Sequence, residues 1–498
     1  MKKIGLLLSV LALVISNVPA TAAQEVSVRI GIEDELLGVY ESSITKVGWI
    51  GVRNGLPYFD GNVPCSSFSD SQCTKLSHVG IVGTTILPLC ADSSELNCFE
   101  SPLIGSSSGS KALGQYLGNA DGFTFAADKE SGISKGSTSS IFSIQDKDNL
   151  QRYFAVTPLI RQLKARKSTG GYSEIQAPIF SLDMKEIGLE GKTNCLFIFK
   201  QKCASHKSSE NFSAEITVRL EKTPPKWLAG RITGPKVSIS NFGAGKKIFV
   251  SGSSVSIPVA EGLVPTSIFA KYPRGVPMSS VLTAAENGSK IVIDPGMAIM
   301  YASDVFSALK EKSVETVNFW NINGSSPLTA FCAEDLQVDC LQGGNGPCVE
   351  NSNEFVGLLA TNALIFSRNP PKLIDEEIQF LLASPHLLPN SKEAIGNFSL
   401  EASSSMLRCV YGLPDLPLSA EISVVNDAGV EKVATKSFSE KNGFSYISVN
   451  NFTFSIPKIK IKLSAAKKKV SITCVKGKNK KVISGDKPVC PAGYKKVI

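Results

Sequence analysis

Twelve cysteines, a serine set between glycines and a run of lysines are the residues of this chain whose types and spacing carry chemistry. Cys65 and Cys73, Cys90 and Cys98, Cys195 and Cys203, and Cys332 and Cys340 are each separated by seven residues. One short spacing used four times predicts local disulfides across turns, made in an oxidising compartment. Each would close a small loop and contribute about 2 to 3 kcal/mol on the chain-entropy account. Cys348 and Cys409 are then left to tie the middle of the chain to its C-terminal part. Cys340 and Cys348 stand at the same spacing, so that competing register stays open. Zinc ligands characteristically sit two to four residues apart. These spacings therefore predict no metal site, and no cofactor is expected.

Gly105-Ser106-Ser107-Ser108-Gly109 matches G-x-S-x-G, the turn that presents a nucleophilic serine, with Ser110 to Leu117 after it as a helix. Such an elbow needs a parallel strand before it and an acid and a histidine after it. Only His206 and His386 follow, one in a polar loop and one beside proline, while His78 lies on an apolar strand. A Ser/Gly surface loop is the preferred reading. Gly243-Ala244-Gly245-Lys246-Lys247 lacks phosphate-loop spacing and reads as a hairpin turn. Asn119, Asp121, Asp128, Asp146 and Asp148 lack calcium-loop spacing. Neighbouring carboxylates such as Asp375 and Glu376 do not specify glycoside hydrolysis, which depends on a separation in space. Trp49, Trp227 and Trp320 read as core tryptophans before they read as sugar platforms. No catalytic residue is assigned.

The lysines are unevenly placed. Lys458 to Ile498 holds 13 lysines against one acid, Asp486, for a net charge of +12. Taking this and the two leader lysines, Lys2 and Lys3, from the chain's +8 leaves −6 for Gln24 to Pro457. An acidic body ends in a basic tail. Within the tail Val470 to Val475 alternates apolar and polar residues, Gly477 to Asn479 supplies a turn, and Lys481 to Ile483 returns as a second strand. A module of fewer than about 40 residues rarely folds without a staple, so a Cys474 to Cys490 disulfide is predicted. Lys467, Lys468, Lys469, Lys476, Lys478, Lys480, Lys481, Lys495 and Lys496 form a surface for electrostatic docking to an anionic polymer. The plainer reading is a solvated face. Nucleic acid is a poor match, because Tyr494 is the tail's one aromatic residue.

The run Ile472-Thr473-Cys474-Val475-Lys476-Gly477-Lys478, then Lys480-Lys481-Val482, Pro488, Cys490-Pro491 and Gly493-Tyr494-Lys495-Lys496, resembles a short terminal module of many secreted proteins of high-GC Gram-positive bacteria, the actinobacterial type. The body is similar to large, uncharacterised extracellular proteins of the same group, through Pro224-Pro225-Lys226-Trp227, Cys409-Val410-Tyr411 and Phe452-Thr453-Phe454-Ser455-Ile456-Pro457. The resemblance implies a secreted, surface-associated protein and brings no catalytic residues with it.

The elements that must position these groups read as β-structure. Met1 to Ala23 has the form of a secretory signal: a lysine pair, an apolar core from Ile4 to Ile15 and Ala20-Thr21-Ala22 as the cleavage site. An apolar run of about 12 residues is too short to span a bilayer, which takes about 20. Cleavage is expected after Ala22 or Ala23, leaving no transmembrane span. Strands are predicted at Val26–Ile32, Val47–Val52, His78–Leu87, Gly122–Ala126, Ser140–Ser143, Ala177–Leu182, Leu196–Lys200 and Ala214–Leu220, with a helix over Asp148–Ala165. Between the proline pairs at 224–225 and 370–371, strands are predicted at Lys236–Ser240, Lys247–Ser251, Ser254–Val259 and Lys290–Asp294, and a helix at Ala302–Lys310. Beyond Pro371, alternating strands flank Asn442-Gly443, the strongest short hairpin signal.

The chain is therefore expected to be mainly β and multi-domain, built of antiparallel β-sandwiches with a few short helices. The expected division is 1–23 signal, 24–222 and 223–369 β-rich domains, 370–463 an immunoglobulin-like sandwich, and 464–498 the basic tail. The function expected is binding or adhesion at the bacterial surface, the tail docked on anionic cell-wall polymer and the body facing an extracellular ligand. An extracellular hydrolase using Ser107 or a carboxylate pair is the alternative from another class, and a structural envelope component is the third.

Overall fold

The computed structural model describes residues 24–30, 46–53, 56–64, 67, 80–107, 109–128, 132–146, 148–166, 172–174, 179–191, 195–207, 210–222, 226–272, 276–293, 301–324, 348, 355–368, 370, 373–425, 430–431, 434–454, 456, 458–465, 470–485 and 488–497. The protein is mainly β, with several sheets, four short helices and four disulfides among these residues.

A long ladder runs through the body. In spatial order its strands are Leu56–Pro64, Lys46–Arg53, Gly80–Ile86, Gln151–Arg166, Ile179–Gly191, Glu315–Gly324, Trp227–Arg231, Gly357–Thr361, Ile395–Ser403, Phe444–Thr453 and Thr435–Lys441. Every pairing in it is antiparallel except Trp227–Arg231 with Gly357–Thr361. Four apolar clusters among the described residues involve this ladder, the smallest around Ala155, Ile187, Phe197 and Phe199. One holds the sheet of Leu103–Ser106, Phe212–Leu220 and Gly245–Ser253, where the Phe154 and Phe212 rings meet edge to face with centroids 5.1 Å apart. The second holds the sheet of Glu377–Ala383, Lys458–Ala465 and Leu418–Val425, with Phe380 against Phe398 at 5.1 Å. In the third, Glu25–Ile30 lies between Glu261–Pro265 and Lys290–Ile293, under the helices Met278–Asn287 and Ala302–Ala308.

Ladders run across both proline-pair positions. Ile179–Gly191 pairs with Glu315–Gly324, and Gly357–Thr361 with Ile395–Ser403. Residues 370–463 contribute to two facing sheets, and Gly357–Thr361 completes one of them. The strand Lys458–Ala465 ends one residue past 464, its Ala465 opposite Leu418.

The stretch expected as a helix over Asp148–Ala165 is instead the strand Gln151–Arg166. Its aromatic and β-branched residues favour a pleated surface, and Pro158 would break a helix interior. Pro158 is tolerated here because it falls where the neighbour on one edge changes. Residues 151–156 pair with Ser140–Gln145 and residues 159–165 with Gly80–Ile86, so the missing N–H lies between two ladders. The helix expected from Ser110 is also absent, replaced by the strands Lys111–Leu113 and Gln115–Asn119. Gly122–Ala126 forms only a bridge from Phe125 to Gly136. The hairpin at Asn442-Gly443, the helix at Ala302–Ala308 and the turn at 243–244 stand where they were read.

Candidate functional site

The tail folds as a three-stranded sheet in which Val470–Lys476 lies between Asn479–Gly485 and Lys495–Val497. Gly477 sits at φ +59° in the first position of the two-residue turn between Lys476 and Asn479, a conformation that costs glycine nothing. Ile472 and Cys474 are buried in the central strand. Cys474 is bonded to Cys490, with Cα atoms 5.6 Å apart. Closing this loop contributes about 3 kcal/mol, a large share for so small a core.

Register decides where the lysines stand. Lys481 and Lys496 flank Cys474, while Lys480 and Lys495 flank Val475, and successive residues of a strand face opposite sides. Both faces are thus cationic. Lys476, Lys478, Lys480, Lys481, Lys495 and Lys496 are all exposed, and Lys481 Nζ stands 5.4 Å from the Tyr494 ring centroid. On the Lys480 and Lys495 side a row of Val482, Thr473 and Val497 lies in register, with Val482 and Val497 exposed. The lysines of the preceding strand are used differently. Lys460 pairs with Glu377 and Lys462 with Glu376, each at 3.0 Å. Lys467, Lys468 and Lys469 lie outside the described residues.

Disulfides also join Cys90 to Cys98, Cys195 to Cys203 and Cys348 to Cys409. The last joins residue 348 to the helix Ser404–Tyr411, which Ser403 caps by accepting from Met406 N–H. Cys65, Cys73, Cys332 and Cys340 lie outside the described residues.

Ser107 is exposed in the turn between Leu103–Ser106 and Lys111–Leu113, strands that pair antiparallel. An elbow requires a parallel strand feeding a helix, and neither flanks Ser107. His206 ends a strand opposite Ile187, and His386 Nδ1 is 2.8 Å from the Phe454 carbonyl oxygen; His78 lies outside the described residues. Asp375 and Glu376 are the turn before Glu377–Ala383. Asp121 and Asp146 accept from backbone N–H groups of Lys200 and Gln201, and of Asp148 and Leu150. Trp227 and Trp320 are buried and donate to the Arg368 and Gly252 carbonyls. The Trp49 side chain lies outside the described residues.

Sequence reasoning missed a cleft of about 400 Å³ beside the Cys90–Cys98 loop. Its apolar lining includes Pro88, Ile133, Ile160, Phe180 and Leu220. Gln162 and Ser134 are its inner polar residues. Gln162 is 5% exposed, and its amide nitrogen donates to Gly132 O at 3.4 Å. Gln162 Oε1 and Ser134 Oγ are buried with no hydrogen-bond partner among the described residues. A buried acceptor left so costs about 1 to 3 kcal/mol. No local pattern marks Gln162, because the loop that covers it comes from a distant strand connection.

Comparison with family models, with curated proteins and with solved structures finds no match to this chain. Among the described residues no helix is long and apolar enough to cross a membrane.

Proposed function

We propose that this is a secreted binding protein held at a bacterial surface by its terminal module, whose lysines dock on anionic cell-wall polymer. The observation that carries the reading is a stapled sheet with six exposed lysines at the end of a body of charge −6. Lys460 and Lys462 have their charge offset by neighbouring carboxylates, whereas residues 466–498 hold ten lysines against a single acid, Asp486. The resemblance of the tail to modules of secreted actinobacterial proteins points the same way. The exposed Val482 and Val497, on the two outer strands either side of Thr473, give the docking face apolar surface next to the row of Lys480, Val475 and Lys495.

The test is binding of the mature protein, full length or ending at Ala465, to isolated cell walls over a salt series. Ending at Ala465 leaves the Leu418–Val425 ladder whole. Binding that requires residues 466–498 and weakens as the Debye length shrinks from about 10 Å at 0.1 M to about 3 Å at 1 M is expected. Binding indifferent to tail and salt would overturn the reading.

A further inference from the structure

The terminal sheet has two unlike faces. On one, Cys474 is fully buried and bonded to Cys490, and the chain from Cys490 runs on as a turn closed by Tyr494 N–H on the Pro491 carbonyl at 2.9 Å. Lys481 Nζ stands over the Tyr494 ring, and a Cβ on Gly493 would lie 3.2 Å from Lys476 Nζ. The lysines of this side are therefore laid along the covering turn.

The other face has no such cover among the described residues. Thr473 and Val475 of the central strand lie on it half-buried, with Val482 and Val497 beside Thr473 and Lys480 and Lys495 beside Val475. Val482 is 67% exposed and Val497 51%. They stand two strand spacings apart, about 10 Å, and the lysine row follows about 7 Å along the strands. An aliphatic strip thus runs beside a row with an ammonium group at each end.

We propose that this open face is a contact for an anionic phospholipid surface. It rests on the reading of the tail as an anion-docking module and adds a lipid surface to the wall polymer. A soluble polyanion answers the lysines and leaves the valines in water. An anionic bilayer answers both, because its phosphates lie level with the ammonium groups and the acyl boundary lies just beneath them. Long lysine stems keep their charge among the headgroups while the shorter valines reach deeper. The strip is carried by one stapled sheet, so little order is lost on docking. A second copy stacked on the same face would bring four lysines into one small interface, which like-charge repulsion disfavours.

The experiment measures binding of the mature protein at about 0.1 M salt to phosphatidylcholine vesicles with and without about 30% phosphatidylglycerol, and to soluble linear polyphosphate. Vesicles containing phosphatidylglycerol are expected to bind, and pure phosphatidylcholine is not. Val482→Thr with Val497→Thr keeps β-branched side chains on the strands. It should weaken vesicle binding about fivefold and leave polyphosphate binding within about twofold. Lys480→Ala with Lys495→Ala should weaken both about tenfold. Vesicle binding within about twofold of wild type in the threonine variant, or equal weakening on polyphosphate, would overturn the proposal while leaving the polymer reading in place. Indifference of both ligands to the lysine variant would overturn the two together. Where the threonine variant loses the trypsin resistance of residues 470–497, wild type decides. A nitroxide on the lipid acyl chain should broaden the Val482 and Val497 methyl signals, and unbroadened signals would overturn the proposal.

Discussion

Arg152 and Glu186 meet across the ladder between Gln151–Arg166 and Ile179–Gly191 as a buried two-point ion pair. Arg152 Nε lies 3.0 Å from Glu186 Oε1 and Arg152 Nη2 2.6 Å from Oε2, with the side chains 9% and 1% exposed. Removing one partner leaves the other charge buried, which costs more than the pair itself contributes. Arg152→Ala should destabilise the protein by about 3 to 5 kcal/mol, and joint replacement by Arg152→Met and Glu186→Leu should recover most of it. Urea unfolding of the three proteins checks this; a single variant no less stable than the double one would refute it.

Trp227 packs on Gly357 across the parallel pair that links two distant parts of the chain. A Cβ at Gly357 would stand 2.5 Å from Trp227 Cζ3 and 2.8 Å from the Glu401 carbonyl oxygen. The backbone oxygen cannot move aside, so Gly357→Ala is expected to cost about 1 to 3 kcal/mol by overpacking. The denaturation midpoint, followed by tryptophan fluorescence, should fall accordingly.

Acid should weaken the fold through three glutamates. Burial raises the Glu100, Glu261 and Glu440 carboxyls, but their partners outweigh it: Lys247 and Arg219 at Glu100, Lys290 and Arg29 at Glu261, and the Leu418 N–H with Arg408 at Glu440. All three end below the ordinary value of 4.5. A carboxyl lowered in the native state binds its proton less tightly there than in the unfolded chain. Its contribution is present above the unfolded value and lost as pH falls through the folded one. Glu401, raised by burial, acts in the opposite sense. Thermal melts from about pH 7 to about pH 3 should show Tm falling below about pH 4.5, and Glu100→Gln should flatten that fall.

Reduction of Cys474–Cys490 should unfold the tail and leave the body folded. The staple closes a 16-residue separation, contributing about 3 kcal/mol to a sheet in which Ile472 and Cys474 are buried. Limited trypsin digestion of Cys474→Ser with Cys490→Ser should cut within 470–497 well before wild type, with the body's melting unchanged. Equal protection of both proteins would show that the sheet does not need the bond.

Much of the local structure was legible in the sequence. The alternation of Val470–Val475, the Asn442-Gly443 turn, the seven-residue cysteine loops at Cys90–Cys98 and Cys195–Cys203 and the charge divide between body and tail are properties of neighbouring residues. Strand periodicity and turn chemistry act over a few positions, so they survive without knowledge of the rest of the chain. Gln151–Arg166 escaped that reading because it is buried on both faces and its apolar residues do not alternate. The partner of each strand was decided only by tertiary structure. Ile179–Gly191 lies beside Glu315–Gly324, and Gly357–Thr361 joins Trp227–Arg231 to Ile395–Ser403, because burying apolar faces selects among many pairings that local pattern leaves equal. The Gln162 cleft and the Arg152–Glu186 pair belong to the same class: each depends on residues far apart in sequence whose meeting only the packed sheets bring about.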